Sequence, residues 1–422
     1  MNLISFILFL TALFLFASGL RKNSDLFSPA RFFGIVWTVS IGLANLKLSG
    51  FQHEWSLFSW IALLVGIFSF LLGTFTVYVI NLNNPLLSVK AIRQNIRAHP
   101  FNYNNLFWIT VVIFIAYIVC YIAEVIIEGY LPLFSPRIEK ARIEFGVFGL
   151  HLIVNAMVTL LILSIIYIIL APKSVTKKII MSFIIILTTI SFFFLLQRYS
   201  FFLVSVIVLG IFYYSTNKVN LKNILIGSVA FFSFLGFIQS IRLSQYVQHY
   251  IHALSKMKYS VEYAIFSEPY MYIVMNLENY ARASEKLEKF TYGYFTIDWI
   301  LALTGLKHWL EKYYDITRLP FLNSGYNTFP FQWTYYNDFG LLGVLIFPFL
   351  IGFVIAYLYY RMRRTGEFKW MIFYSFGLVI IGISFIMNPL TRLDFMINIF
   401  LIYLIFQYWF IPKNQTIHHR ND

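Results

Sequence analysis

Charged residues and cysteine are scarce in this chain, and each scarcity excludes a class of protein. Only 12% of the 422 residues are Asp, Glu, Lys or Arg, whereas 59% are hydrophobic, which is far from the composition of soluble domains. The single cysteine, Cys120, lies inside an apolar run and excludes a disulfide within the chain. Asp-x-Asp pairs, His-x-x-x-His pairs and cysteine clusters are also missing, so the sequence predicts neither a metal nor another cofactor.

The sequence does contain apolar runs that are long enough to cross a membrane. One helical span needs ~20 apolar residues, and runs of that length predict helices rather than barrel strands. Residues 179–215 would be too long for one span, so Gln197 and Arg198 predict a break between two helices there. About eleven runs result, at 2–20, 31–48, 57–80, 105–124, 147–170, 179–196, 199–215, 223–241, 340–360, 370–388 and 394–411.

The positions of Lys and Arg predict the orientation of these spans. Cations concentrate in alternate connections, near residues 21–31, 90–97, 173–178, 218–222 and 361–369, and short cytoplasmic loops hold such an excess. We therefore expect the N-terminus outside and the C-terminus in the cytoplasm. Most of the basic residues behind the formal net charge of +14 are explained by this orientation signal and by contact with anionic lipid headgroups. Nucleic-acid binding is therefore not expected.

The predicted fold is an all-α polytopic integral membrane protein with one large outer loop. Residues 243–338 are too long for a simple connection, and residues 277–290 within them have the charge pattern of an amphipathic helix. The expected organisation is helices one to eight in 1–242, the outer loop or cap in 243–338, helices nine to eleven in 339–411 and a cytoplasmic tail in 412–422.

Several arginines fall on the predicted outer face, where the charge rule disfavours them. A single arginine at a helix end often extends its side chain to the interface, but several on one face indicate anion binding, because a guanidinium can hold a phosphate through two hydrogen bonds. The outer arginines are Arg137, Arg142, Arg198, Arg242 and Arg392.

Four segments resemble a known family. Residues 328–352 read TFPFQWTYYNDFGLLGVLIFPFLIG and lead to the basic run 361–364, which is similar to the end of the large outer loop in the oligosaccharide repeat-unit polymerases (Wzy-type O-antigen polymerases). GYLPLFSP at 129–136 with Arg142 after it, Gln197-Arg198-Tyr199, and FTYGYFT at 290–296 are similar to that family too. The layout of about eleven helices with one late loop resembles it over the whole chain.

The resemblance implies a glycosyltransferase of the bacterial inner membrane that uses no nucleotide sugar. Such polymerases transfer a growing glycan from undecaprenyl pyrophosphate to the next lipid-linked oligosaccharide repeat unit, and they release the polyprenyl pyrophosphate. The implied partners are this lipid-linked substrate, membrane lipids and a chain-length regulator protein.

That chemistry selects candidate residues. Positive charge stabilises the leaving pyrophosphate, which makes Arg142, Arg198, Arg242 and Arg392 the first candidates and Arg137 a weaker one. A base helps the attacking hydroxyl. Asp338 comes first among the bases, although it is also suited to capping the next helix, and Asp394, Glu268 and His151 follow it. The candidates for stacking on sugar rings are Trp333, Tyr335, Tyr336 and Tyr294.

Three other functions remain open from the sequence. An O-antigen ligase uses the same donor and also has a large outer loop. A flippase or transporter of lipid-linked sugars should show charges at the membrane midplane and related halves, and the sequence shows neither. A membrane-bound acyltransferase would place a histidine with an asparagine or aspartate in buried helices, where this chain offers only His151.

Overall fold

The computed structural model describes residues 2–21, 24–98, 101–171, 174–216, 245–310 and 325–407, together with the separate positions 223, 226, 227 and 233. Throughout these residues the regular structure is helical, and the only β-type contact is a single bridge between Ser49 and Met257. The α-helices are α1 Leu3–Gly19, α2 Pro29–Ala44, α3 Leu57–Ile80, α4 Val89–Ala98, α5 Tyr103–Glu128, α6 Ile138–Glu144, α7 Leu150–Asn155, α8 Met157–Leu170, α9 Val175–Phe193, α10 Arg198–Ser215, α11 Gln245–Leu254, α12 Ser267–Lys286, α13 Asp298–Thr304, α14 Leu306–Leu310, α15 Gln332–Thr365, α16 Phe368–Ile383 and α17 Leu393–Ile405.

Six helical segments are long and apolar enough to cross a membrane: α3, Tyr103–Phe134, Leu150–Leu170, α9, α10 and α15. Helices α1, α2, α16 and α17 are shorter and also apolar. Every predicted run overlaps one of these helices except 223–241, which lies outside the continuously described residues. By length and composition these are the helices of a multi-pass membrane protein.

The predicted break at Gln197 is confirmed. Helix α9 ends at Phe193, Leu196 has a positive φ of 55°, and Gln197 is extended before α10 begins at Arg198. The start of α15 differs from the prediction, because the helix begins at Gln332 rather than at residue 340. A kink at Gly340 separates its polar first part from the apolar run that the sequence pattern marked.

The chain divides into two compact units, and the first contains residues 1–89, 243–365 and 376–393. Within it, α3 and α15 pack together so closely that their backbones touch. A Cβ atom at Gly73 would lie 2.1 Å from the carbonyl oxygen of Phe349, and one at Gly352 would lie 2.2 Å from that of Phe70. Small residues permit this backbone approach, as is common between membrane helices.

Helix α12 of the predicted outer loop packs on α2 and α3 in the same unit. The hydroxyl of Tyr280 donates to the carbonyl of Ala62 (3.2 Å), and that of Ser59 donates to the carbonyl of Ala281 (2.9 Å). The amphipathic helix expected at 277–290 thus begins earlier and ends at Lys286. The charge pattern of residues 277–290 indicated only the C-terminal half of this helix. Met271 and Val274, in its N-terminal half, are buried as well.

Glu278 is a buried acidic residue on this helix. Burial raises the pKa of its carboxyl to about 7, and hydrogen bonds from the Trp55 side chain and the His53 backbone N–H oppose that rise by favouring the charged form. The His53 nitrogen lies 3.4 Å from Oε2 of Glu278. The loop connecting α2 and α3 therefore contacts α12 through a carboxyl that is part protonated near neutral pH.

The second unit contains residues 90–242, 366–375 and 394–422. Helix α8 packs against α5, α9 and α10, and α5 also packs against α7. Asn398 of α17 fixes the break between α7 and α8: its side-chain amide donates to the carbonyl of Asn155 (3.1 Å), and its side-chain oxygen accepts from the N–H of Thr159 (2.9 Å). Backbone groups left unpaired at that break thus gain partners.

Candidate functional sites

In the second unit, a buried carboxylate and a histidine form a pair at the predicted outer end of α5. Glu124 is fully buried, although α5 is otherwise apolar, and a buried charge is costly unless it is paired. Its partners are Nδ1 of His151, at 3.1 Å from Oε2, and the backbone N–H of Val147, at 3.1 Å from Oε1. The side chain of His151 keeps 20% of its surface exposed, so the pair is accessible from the histidine side.

The side chain of Gln197 determines which imidazole nitrogen carries the proton. Its amide nitrogen lies 3.3 Å from Nε2 of His151. Because an amide N–H can only donate, this contact assigns the lone pair to Nε2 and the proton to Nδ1, which then donates to Glu124. Nε2 thus accepts a hydrogen bond from Gln197 in this arrangement, and it can act as a general base once a substrate hydroxyl takes the place of that amide.

Two of the segments that carry the family resemblance meet near this pair. The backbone N–H of Leu133, in GYLPLFSP, donates to the carbonyl of Phe194 (3.1 Å), just before the triplet 197–199. Arg198 is the first residue of α10 and is half-buried, and Arg142 is half-buried in the last turn of α6. Arg137, just before α6, is exposed. The fold thus assembles a histidine, a carboxylate and arginine-bearing segments within one unit.

In the first unit, Asp338 anchors the loop segment 291–296. Its carboxylate is fully buried and accepts four hydrogen bonds, from the backbone N–H groups of Phe295 (3.1 Å) and Thr296 (2.6 Å) and from the hydroxyls of Thr291 and Thr296. FTYGYFT and YYNDFG, which the resemblance singles out separately, are therefore one structural element.

This arrangement favours an anchoring role for Asp338 over the roles as a base or a helix cap. Both carboxylate oxygens are occupied by donors of the same loop, whereas a base needs a lone pair directed at its substrate. The helix kinks at Gly340, where φ is +63° and ψ is −145°. Essentially only glycine adopts this backbone conformation. A Cβ there would also lie 2.8 Å from the ring of Phe290.

The four aromatic candidates are buried in the packing of the first unit. Trp333 stacks on Phe329 with ring centroids 4.6 Å apart, and Tyr335 stacks on Phe347 at 4.7 Å. The hydroxyl of Tyr336 donates to the carbonyl of Ser284 (2.7 Å), and Tyr294 is only 4% exposed. Of the four, Trp333 lines a pocket.

That pocket, the Trp333 pocket, has a volume of about 230 Å³. Its walls are residues 327–330, the first turn of α15 with Trp333 and Thr334, and the turn 386–392. Arg392 is one of its lining residues and is exposed. The pocket therefore combines an indole, hydroxyls, amides and a guanidinium.

Hydrogen bonds hold the walls of the Trp333 pocket in place. The side-chain amide of Asn388 donates to the hydroxyl of Tyr335 (2.9 Å), and its oxygen accepts from the N–H of Leu390 (3.2 Å). On the opposite wall, the side-chain amide of Asn279 donates to the carbonyls of Tyr326 (2.6 Å) and Thr328 (3.1 Å). Both walls are thus preorganised by buried amides.

The other predicted residues have separate positions. Glu268 is half-buried in the first turn of α12, in the first unit. Asp394 is half-buried in the first turn of α17, in the second unit, where its backbone carbonyl accepts from the side-chain amide of Asn398 (2.7 Å). Arg242 lies outside the described residues. Among those described, no group of three or more His, Cys, Asp or Glu side chains comes together as metal ligands.

The residues that sequence reasoning left out of the candidate site are Glu124, Gln197 and Asn388. Glu124 did carry a signal, since an acidic residue inside an apolar run is costly without a partner. Gln197 was marked only as a helix break and as part of a motif, and Asn388 carried no signal. The roles of both amides depend on neighbours that are distant in the chain, as with Gln197 and His151.

No family model, curated protein or solved structure matches this chain.

Proposed function

We propose that this multi-pass membrane protein is a glycosyltransferase that polymerises undecaprenyl-pyrophosphate-linked oligosaccharide repeat units into a surface polysaccharide. The reaction takes place at the outer face of the cytoplasmic membrane, with the orientation that the Lys and Arg distribution predicts. The observation that carries the proposal is the Glu124–His151–Gln197 cluster, beside segments that bear Arg142 and Arg198.

In the proposed reaction, His151 is the general base and Glu124 is a positioning residue. A sugar hydroxyl displaces the amide of Gln197 from Nε2 of His151, and Nε2 takes the hydroxyl proton as the hydroxyl oxygen attacks the anomeric carbon of the lipid-linked glycan. The bond from that carbon to the pyrophosphate oxygen breaks, and the oxygen keeps the electron pair. Glu124 stabilises the imidazolium that forms, and His151 then releases its proton to water.

The arginines have the complementary role in this scheme. Negative charge grows on the pyrophosphate as the glycosidic bond breaks, and fixed guanidinium groups stabilise it without a general acid. Arg142 and Arg198 are the candidates in the described part of the second unit, and Arg242 is a further candidate from the sequence. Among the described side chains on the elements around His151, the charged ones are Glu124, Glu128, Lys140, Arg142, Glu144 and Arg198.

Deletion of the gene tests the function as a whole. We expect the long polysaccharide ladder to disappear on a gel while a single repeat unit stays attached to the lipid core, and the intact gene should restore the ladder. Loss of every attached unit would point to a ligase or a flippase instead. An unchanged ladder would refute the proposal.

Variants in the deletion strain test the base. His151→Asn should lower polymerisation roughly 100-fold or more, because the asparagine amide can still donate to Glu124 but cannot accept a proton. The control His249→Asn makes the same change at an exposed histidine of α11 and should polymerise normally. Membrane abundance should be equal in both.

Polymerisation by His151→Asn at the wild-type level would contradict the role as base. Arg198→Ala should also abolish the ladder, with partial rescue by Arg198→Lys, because a lysine cannot form the two-bond contact.

A further inference from the structure

The Trp333 pocket has features of a binding site that the proposed reaction leaves unused. Its lining is amphipathic: Phe329, Pro330, Ile386 and Met387 provide apolar surface, while Asn327 and Thr334 provide hydrogen-bonding groups. A sugar ring has the same dual character, with apolar C–H faces and a rim of hydroxyls. Ligand sites usually combine an apolar lining with a few placed polar groups in this way.

The indole of Trp333 adds a directed donor to this lining. Its ring is held between Phe329, at 4.6 Å, and Tyr336, at 6.1 Å between centroids, so its position is rigid. Within the described residues, the indole N–H donates to no protein acceptor, and its nitrogen is not among the buried polar atoms that lack a partner. The N–H is therefore open to solvent. An indole can only donate, so an acceptor such as a sugar hydroxyl oxygen suits this position.

The size of the pocket restricts the ligand. At about 230 Å³ it is smaller than the ~300–1,000 Å³ typical of pockets for drug-sized ligands, and it suits one monosaccharide residue at a time. The guanidinium of the lining residue Arg392 is planar and carries several donors, which suits neighbouring hydroxyls or the carboxylate of an acidic sugar.

We propose that the Trp333 pocket is a saccharide-binding site, which holds one sugar residue of the glycan that the protein extends. The choice of glycan as the ligand rests on the proposed function, but the binding itself does not require polymerisation. The turn 386–392 and the segment 327–330 both belong to connections that the sequence places on the outer side, where such a glycan would be.

Direct binding tests the site. The probe is the host's surface polysaccharide released from its lipid by mild acid, titrated onto the full-length protein in detergent with thermophoresis as the readout. Trp333→Ala should weaken binding about 10-fold or more, as for a central aromatic contact. Trp309→Ala removes an indole that is 77% exposed and does not line the pocket, and it should bind as the wild type does.

A milder variant separates binding from folding. Trp333→Phe retains the ring packing but removes the N–H, and it should weaken binding while its melting temperature stays near that of the wild type. Equal affinity of the wild type, Trp333→Ala and Trp333→Phe would overturn the proposal, as would failure of the wild type to bind the polysaccharide. Displacement of the polysaccharide by inorganic pyrophosphate alone would also overturn it, since the pocket would then be an anion site.

These outcomes are distinct from failure of the proposed function. A gene deletion that leaves the ladder unchanged refutes the polymerase, whatever binds in the pocket. A polymerase confirmed by deletion, with no effect of Trp333 variants on binding, refutes only the saccharide site.

Discussion

At the scale of single residues, the chain uses buried carboxylates to join distant segments. Asp338 and Glu124 are both fully buried, and each is compensated by hydrogen-bond donors from elsewhere in the chain. Their surroundings differ in one respect. Asp338 meets backbone N–H groups and hydroxyls that do not titrate in the neutral range, whereas Glu124 meets a histidine. The first arrangement can only hold a loop, and the second can also move a proton.

Asp338→Asn should destabilise the first unit. One oxygen of the carboxylate would become an NH₂ group, which cannot accept hydrogen bonds. About two donors of segment 291–296 would then lack an acceptor, at a cost in folding free energy of roughly 1–3 kcal/mol each. We expect a melting temperature lower by about 5 °C and faster proteolysis within 287–297. Glu262→Gln makes the same chemical change at an exposed position and should behave as the wild type. Equal melting temperatures of the two variants would contradict the anchoring role.

At the scale of helices, the contact of α3 with α15 depends on the absence of two side chains. Replacing glycine by alanine inside a helix normally stabilises it by about 1 kcal/mol. At Gly352 the added Cβ would lie 2.2 Å from the carbonyl oxygen of Phe70, so the helices would have to separate. The loss of close packing should outweigh the gain in helix propensity.

Gly352→Ala should therefore destabilise the protein by about 1–3 kcal/mol. The matched control is Gly382→Ala, a helical glycine in the same unit whose nearest atoms, on the ring of Phe32, would be 3.8 Å from the new Cβ. That variant should be as stable as the wild type or slightly more stable. Both are measured by heating membrane extracts and following the folded fraction by fluorescence-detected size-exclusion chromatography. If Gly352→Ala is at least as stable as Gly382→Ala, the close backbone contact between α3 and α15 does not contribute to stability as proposed.

Helices were the part of the fold that the sequence could predict. A span of ~20 apolar residues is a local property, and the break at Gln197 followed from the length of the run and from its polar residues Gln197 and Arg198. The contacts of Asp338 with Thr296 and of Glu124 with His151 were beyond such reasoning, because the partners lie 42 and 27 positions apart in the chain. The sequence named His151 as a candidate base, but only the fold supplies the carboxylate that orients it.

At the scale of the whole molecule, the proposed function requires the large loop to be outside the cell membrane. The positions of Lys and Arg predict this orientation, and a polymerase of lipid-linked repeat units at the outer face needs it, because both the loop 243–338 and the turn 386–392 must meet the substrate there. The opposite orientation would leave the Trp333 pocket on the side of the cytoplasm.

Cysteine labelling in intact cells decides the orientation. The only native thiol, Cys120, is buried and is first removed as Cys120→Ala, which serves as the unlabelled control. In that background, Glu262→Cys of the large loop should react with a membrane-impermeant maleimide in intact cells. Arg364→Cys, at the exposed end of α15, should react only after permeabilisation, because the Lys and Arg distribution predicts that the basic run 361–364 lies inside. The reverse pattern would place the loop in the cytoplasm and exclude polymerisation at the outer face, even if both variants support normal amounts of protein in the membrane.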